Sequence, residues 1–188
     1  MIMLSNNEIR ELIKSAGLIE NYVDWHTQLQ PCGFDLTLDY IEVPIDNTTQ
    51  DESKMTVIDF TNEKRRLAQM RRILPTQDRF GDEWFVLNPG NYVFHTNEKI
   101  NCPTDISGFM LIRSSLQRAA IIGLATAIID PGFYGHLTLA LSIPAPGLII
   151  KRRGRFAQLI FFKLLSPSSK NYSGAYQEKK EVKDNGIP

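Results

Sequence analysis

Arg113-Ser114-Ser115 sets a guanidinium and two hydroxyls side by side, and these are donors suited to phosphate oxygens. Arginine offers a planar fork of N–H groups. A serine at a helix start leaves free backbone amides beside it. Further along stands Asp130, just ahead of Pro131 and Gly132. A residue that precedes proline is kept out of the α region, so this carboxylate rides on restricted, extended backbone, as suits a group that orients a water or a sugar hydroxyl. The strand that follows puts His136, Thr138, Ala140 and Ser142 on its polar face. An anion clamp, a fixed carboxylate and a shaped strand within Arg113–Leu141 suit work on a phosphorylated small molecule. A plainer reading stands beside each. Arg113 next to an N-capping serine equally suits an arginine paired with a carboxylate, and aspartate is common before turns.

Other chemistries lack their patterns. His26, His95 and His136 are scattered, and Cys32 and Cys102 form no Cys-x-x-Cys pair, so zinc-type spacing is missing. The His-x-Glu with Pro-Cys-x-x-Cys signature of zinc deaminases is absent, as are a Walker loop and a dinucleotide fingerprint. Any metal is then expected to be magnesium carried in with phosphates. Asp35, just after Pro31 and Gly33, is a further carboxylate at a strand mouth, although carboxylates on exposed strand faces are common.

The elements that must position these groups are mostly strands. Phe34, Leu36, Leu38 and Tyr40 alternate with Asp35, Thr37 and Asp39, the pattern of a half-buried strand. Trp84–Leu87, Tyr92–Phe94, Phe109–Ile112 and Phe156–Leu165 read as further strands, with Pro89 and Gly90 where a type II turn needs them. Ala125–Leu139 reads as a hairpin turning near Asp130–Gly135. Ser5 and Glu8 have capping-box spacing ahead of Ile9, Leu12 and Ile13, with Gly17 as the stop, which predicts a helix over about 6–16. Between 46 and 54 the chain is polar and loop-like. Leu67, Met70 and Leu74 are then spaced like one face of a basic helix, read as a solvated surface feature. The class is mostly β, with a short N-terminal helix.

The chain has 188 residues, with 21 basic and 21 acidic side chains, enough for one domain with a substantial core. Zero net charge gives no support to a nucleic-acid or membrane-surface role. No apolar run nears the ~18–20 residues of a membrane span, and no leader pattern follows Met1. The two cysteines are expected to be reduced and buried, in a cytoplasmic protein.

Together these residues resemble the family shared by dCTP deaminases and trimeric dUTPases. Arg113-Ser114-Ser115-Leu116-x-Arg118 is similar to its phosphate motif, and Ile129-Asp130-Pro131-Gly132-Phe133-x-Gly135 to its nucleoside-binding hairpin. Gln30-Pro31-x-Gly33-Phe34-Asp35-Leu36 resembles its first motif, Arg153-Gly154-Arg155-Phe156-Ala157-Gln158-Leu159 its fourth, and Tyr172-x-Gly174-x-Tyr176-Gln177 its C-terminal arm. The resemblance implies a distorted β-barrel or jelly-roll-like fold, a homotrimer with active sites between subunits, and magnesium bound mainly through the triphosphate. It implies a single domain over 1–177 with an insertion at about 46–80, and a flexible tail over 178–188.

Two departures sharpen this. In the deaminases of the family the strand after the hairpin carries a glutamate that moves protons to and from the cytosine ring; aligned on Asp130, that position is Ala140. The deaminase C-terminal lysine is also missing, with Ala175 at or near its place. Loss of the glutamate resembles the archaeal dUTPase branch, which implies dUTP hydrolysis to dUMP and pyrophosphate. Asp130 is then the catalytic candidate. Arg113, Ser114, Ser115 and Gln158 would hold phosphates with Arg118 in support, and Thr138 would line the site. Tyr172, Tyr176 and Gln177 would close over the nucleotide, and Asp35 would orient a metal-bound water. The alternatives are dCTP deamination with a rearranged proton carrier such as His136, and a non-catalytic nucleotide-binding regulatory trimer.

Overall fold

The strand from Gly33 to Pro44 has neighbours along both edges, and the sheet is built outward from it. The computed structural model describes residues 2–45, 55–59, 61, 64–123 and 128–179. In chain order the elements are β1 (Ile2–Met3), α1 (Asn6–Ala16), β2 (Ile19–Glu20), α2 (Trp25–Gln28), β3 (Leu29–Gln30) and β4 (Gly33–Pro44). There follow β5 (Val57–Asp59), β6 (Lys64–Arg66), β7 (Met70–Ile73), β8 (Thr76–Gln77), β9 (Glu83–Leu87) and β10 (Gly90–Asn101). The last are β11 (Ile106–Ile112), α3 (Ser114–Arg118), β12 (Ile122–Gly123), β13 (Tyr134–Ile143), β14 (Leu148–Lys151) and β15 (Arg155–Lys163).

The main sheet runs β1-β15-β4-β10-β13-β12, with β11 along β15, β2 on β10, and β3 and β7 on β4. All of these pairings are antiparallel. The sheet curls into a half-barrel, and its concave side is filled by Phe34, Phe94, Phe156 and Phe161 with Leu36, Leu38 and Ile41, each fully buried. Burying a side chain of this size contributes roughly 1.5–3 kcal/mol, so this cluster supplies a substantial share of the drive that holds the curl. The fold is mostly β. No helix among the described residues is long and apolar enough to cross a membrane.

The N-terminal helix forms where the spacing places it. The Ser5 amide donates to Glu8 Oε2 at 2.8 Å, and Gly17 ends the helix in the left-handed region at φ 62°. Other expectations are corrected. The basic stretch is not a helix: β6 pairs with β5, and β7 adds to the edge of β4 with Ile73 opposite Ile41. Edge hydrogen bonds, and the Arg72 guanidinium 3.7 Å from the centre of the Tyr40 ring, outweigh a helical spacing that had no buried face to meet. Gly90 does not take the positive φ of a type II turn and instead begins β10. β9 and β10 lie in different sheets, so the Pro89-Gly90 corner is a crossing and not a hairpin. Cys102 is buried, but Cys32 is exposed; both are free thiols. Asp35 and Thr37 are not on a solvated face: each is 1% exposed, because β15 and a polar cluster cover that side of β4. The loop-like stretch at 46–54 and most of the 178–188 tail lie outside the described residues.

Candidate active site

Two groups of polar side chains stand out, at opposite ends of β11. At its start, Gly108 and Ile129 exchange both backbone hydrogen bonds, at 3.1 and 2.8 Å. The Ser107 hydroxyl adds a third to the Ile129 carbonyl at 3.0 Å. This pins the residue before Asp130. The Asp130 carbonyl then accepts from Phe133 N at 3.1 Å, and Gly132 N donates to Cys102 O at 3.0 Å, so the turn is fixed from both sides. The hairpin differs from the expected one. Ile122 and Gly123 pair with Ser142 and Leu141 of β13, whereas Ile129 pairs with β11; residues 124–127 lie outside the described set.

Asp130 lines a cleft of about 760 Å³ together with His136, Thr138, Ala140, Tyr172 and Tyr176. The apolar part of its wall includes Ile122, Ile128 and Phe133. Along β13, Leu139 and Leu141 point into the core while Thr138 and Ala140 are exposed on the other face. Ala140 therefore sits on the cleft wall, where a longer side chain would project into the space. His136 Nδ1 lies 3.0 Å from the Thr96 carbonyl. A carbonyl only accepts, so Nδ1 carries a proton, and Nε2 is the ring nitrogen left to face other groups.

The second group lies past the end of β11. Arg113 precedes α3 as its N-cap, in extended conformation, and Ser114 and Ser115 form the first turn; the capping position is thus the arginine and not a serine. Arg118 Nη1 reaches Ser114 Oγ at 3.5 Å. Cross-strand register places Gln158 of β15 between Leu111 of β11 and Asp35 of β4. The buried Asp35 carboxylate gathers the group: Arg155 Nη1 lies 3.2 Å from Oδ2, Arg113 Nε 3.4 Å from the same oxygen, and Gln158 Nε2 3.4 Å from Oδ1. Burial raises this carboxyl above its ordinary range, and the two guanidiniums pull it only part of the way back.

None of Arg113, Ser114, Ser115, Arg118 and Gln158 lines the Asp130 cleft. The five residue steps from Gly108 to Arg113 span roughly 17 Å of extended chain. Within one chain the Asp130 group and the Arg113 group thus stay apart. Gln177 is also elsewhere than expected. Its side chain takes Tyr134 N at 3.1 Å and gives to Gly132 O at 3.1 Å, so it binds the turn itself.

The family model for dCTP deaminase-like proteins matches residues 3–164. The chain belongs to the dCTP deaminase-like family. Among its relatives, a probable deoxyuridine 5'-triphosphate nucleotidohydrolase of Methanococcoides burtonii is 34% identical over 181 residues, covering 95% of this chain and 99% of the other. A dCTP deaminase, dUMP-forming, of Beutenbergia cavernae is 36% identical over 178 residues, covering 93% and 86%. In fold, the chain is similar to the 2'-deoxycytidine 5'-triphosphate deaminase of Agrobacterium tumefaciens, with a TM-score of 0.60 at 23% identity. That match covers 85% of this chain but only 46% of the longer one.

Membership of this family accounts for the motifs but not for every residue that shapes the site. Arg155 shares Asp35 with Arg113 and also donates to the Thr27 carbonyl at 2.7 Å. Only its place beside Gln158 in the fourth motif hinted at this. Glu98 is fully buried and accepts from Thr37 N at 2.8 Å, Thr37 Oγ1 at 2.6 Å and Gln28 Nε2 at 2.8 Å. The same Gln28 amide donates to the Asp35 carbonyl at 2.8 Å, so a buried polar cluster backs the strand that carries Asp35. A lone Glu within an alternating strand gave no warning of this.

Proposed function

We propose that this protein is a dUTP diphosphatase, converting dUTP and water to dUMP and pyrophosphate. The observation that carries the reading is Ala140 on the cleft wall, in line with Thr138 and in the same cleft as Asp130. A methyl group cannot carry protons to a cytosine ring, and losing such a group costs hydrolytic deamination about 10²–10⁴-fold. Release of pyrophosphate needs no proton carrier at the base. It needs an oriented water and neutralised phosphate charge. Asp130, exposed on a pinned turn, is the group to orient the water or the 3′-hydroxyl. Water adds to the α-phosphorus, the bond from that phosphorus to the bridging oxygen breaks, and pyrophosphate leaves.

Arg113, Ser114, Ser115 and Gln158 are read as the phosphate-binding set, with Arg118 in support through Ser114 and Arg155 added through Asp35. Since they stand apart from Asp130 in one chain, the site is read as completed between subunits of a homotrimer. Thr138, Tyr172 and Tyr176 line the nucleoside end. Magnesium is read as entering on the triphosphate, where it offsets phosphate charge. The chain's own donors fit that role and not a protein cage: among the described residues no cluster of three or more His, Cys, Asp or Glu is placed to hold a metal ion. Asp35 is already engaged by two arginines and Gln158, so we read it as the residue that holds those arginines in place. Two unpaired thiols favour a cytoplasmic setting.

One assay tests the reading: dUTP and dCTP side by side with magnesium, following both pyrophosphate and ammonia. Pyrophosphate and dUMP from dUTP, without ammonia from dCTP, is the expected result. Ammonia from dCTP would move the protein to the deaminase activity named for the Beutenbergia cavernae relative. Tight dUTP binding without turnover would leave a regulatory trimer.

A further inference from the structure

Among the described residues, β12 pairs with the outer edge of β13 only at Leu141 and Ser142, which leaves the start of that edge without a strand partner. Unpaired edge amides must find acceptors or water. Here the chain's own C-terminal segment supplies them, largely with side chains. Tyr172 N donates to Pro131 O at 2.9 Å, and Glu178 N to Tyr134 O at 2.8 Å. The Gln177 side chain takes the Tyr134 amide, and Glu178 Oε1 takes the His136 amide at 2.9 Å. The other Glu178 oxygen lies 3.0 Å from Lys99 Nζ, and Lys99 is the cross-strand partner of His136. One carboxylate therefore ties the arm to both strands of the cleft wall, while Tyr172 and Tyr176 of the same arm line the cleft.

The turn is shaped to receive this segment. A Cβ on Gly132 would come within 2.7 Å of Asn171, and one on Gly135 within 3.2 Å of both Glu178 and the Tyr176 carbonyl. Both glycines are needed for the close approach of the arm as well as for the turn itself.

We infer that Glu178 is the positioning residue that seats the C-terminal arm on the Asp130 turn of its own chain and so brings Tyr172 and Tyr176 to the cleft. This rests on reading the cleft as the nucleotide site. It adds that closure is fastened in cis, by a carboxylate that stands in for a β-ladder partner. A fastening that joins two backbone bonds to side-chain acceptors at a sheet edge opens more readily than a continuous backbone ladder, as a substrate cover must.

The test uses the full chain and three variants, Glu178→Ala, Glu178→Gln and Gly135→Ala, with two readouts. Amide hydrogen exchange at His136 and over 172–178, without nucleotide, should rise about tenfold or more in Glu178→Ala and Gly135→Ala; the midpoint of thermal unfolding stays close to that of the parent in Glu178→Ala and falls in Gly135→Ala, whose positive φ strains the turn as well. Glu178→Gln keeps an acceptor for the His136 amide and should restore part of the protection. With dUTP, KM should rise about tenfold in Glu178→Ala while kcat changes by about twofold or less. Unchanged exchange in Glu178→Ala overturns the seat. Raised exchange with unchanged KM overturns the positioning role. If the parent does not hydrolyse dUTP, the functional reading falls by itself, and exchange alone decides whether Glu178 holds the arm.

Discussion

Asp35 holds Arg155, with Nη1 3.2 Å from a carboxylate oxygen that is itself buried to 1% exposure. Arg113, just past the end of β11, shares that oxygen at 3.4 Å, so one carboxylate sets the direction of two guanidiniums, one capping α3 and one at the start of β15. Asp35→Asn keeps the shape but removes the charge and turns an NH₂ toward donors. The arginines then lose the anchor they share, keeping only bonds to backbone carbonyls, and dUTP hydrolysis should fall by about 10²–10³ in kcat/KM. Steady-state kinetics against the parent measures this. A loss below tenfold would mean that the arginines hold their direction without it.

Asp130→Asn isolates the other half of the site. The backbone bonds that fix the turn, from Phe133 N to the Asp130 carbonyl and between Ile129 and Gly108, do not involve the side chain. The exposed carboxylate can therefore be neutralised with a stability change within about 0.5 kcal/mol. Pyrophosphate release from dUTP should fall about 10³-fold or more. If hydrolysis survives, the water is oriented by another group, and His136 Nε2 is the next to examine.

Much of this site was legible because its chemistry is local in sequence. Arg113-Ser114-Ser115 and Asp130-Pro131-Gly132 are short runs whose residue types suggest the use proposed for them. The alternation that turns Ala140 outward with Thr138 follows from the period of a strand. What stayed hidden depends on partners far along the chain. Asp35 looked like a surface carboxylate because its cover comes from Arg113, Arg155 and Gln158. Met70–Ile73 looked helical because the β4 edge that claims it lies nearly thirty residues earlier. Periodicity shows which face of an element is apolar, and says nothing of what another strand brings to its polar face.

The two thiols should be told apart by their reactivity. Cys102 is buried, its Sγ donates to the Ile106 carbonyl at 3.2 Å, and burial pushes the thiol up to about 12. Cys32 is exposed. Since the thiolate is the reactive form, a neutral-pH disulfide reagent should label Cys32 promptly in the folded protein, and Cys102 only after denaturant is added. Peptide mapping of the labelled chain distinguishes the two. Prompt labelling of both would mean that the Cys102 corner beside the Asp130 turn opens readily.

Glu98 offers a test of how the buried cluster behind Asp35 is held. Burial raises its carboxyl above the ordinary 4.5, while the Thr37 and Gln28 donors pull it down less than burial pushes it up. Glu98→Ala leaves Thr37 N, Thr37 Oγ1 and Gln28 Nε2 without their acceptor, a loss of about 2–4 kcal/mol. That loss should depend on pH. With the folded value above the unfolded one, the folded chain binds more protons across the window above 4.5. Stability contributed by Glu98 is therefore fully present below that value and declines as pH rises through the folded pKa. Thermal or denaturant unfolding of parent and Glu98→Ala, compared from about pH 4.5 to 8, should show the gap widest at the acidic end and narrowing toward neutrality. A gap that widens with pH would mean that hydrogen bonds to the ionised carboxylate outweigh its burial, and that the cluster is an anion site in its own right.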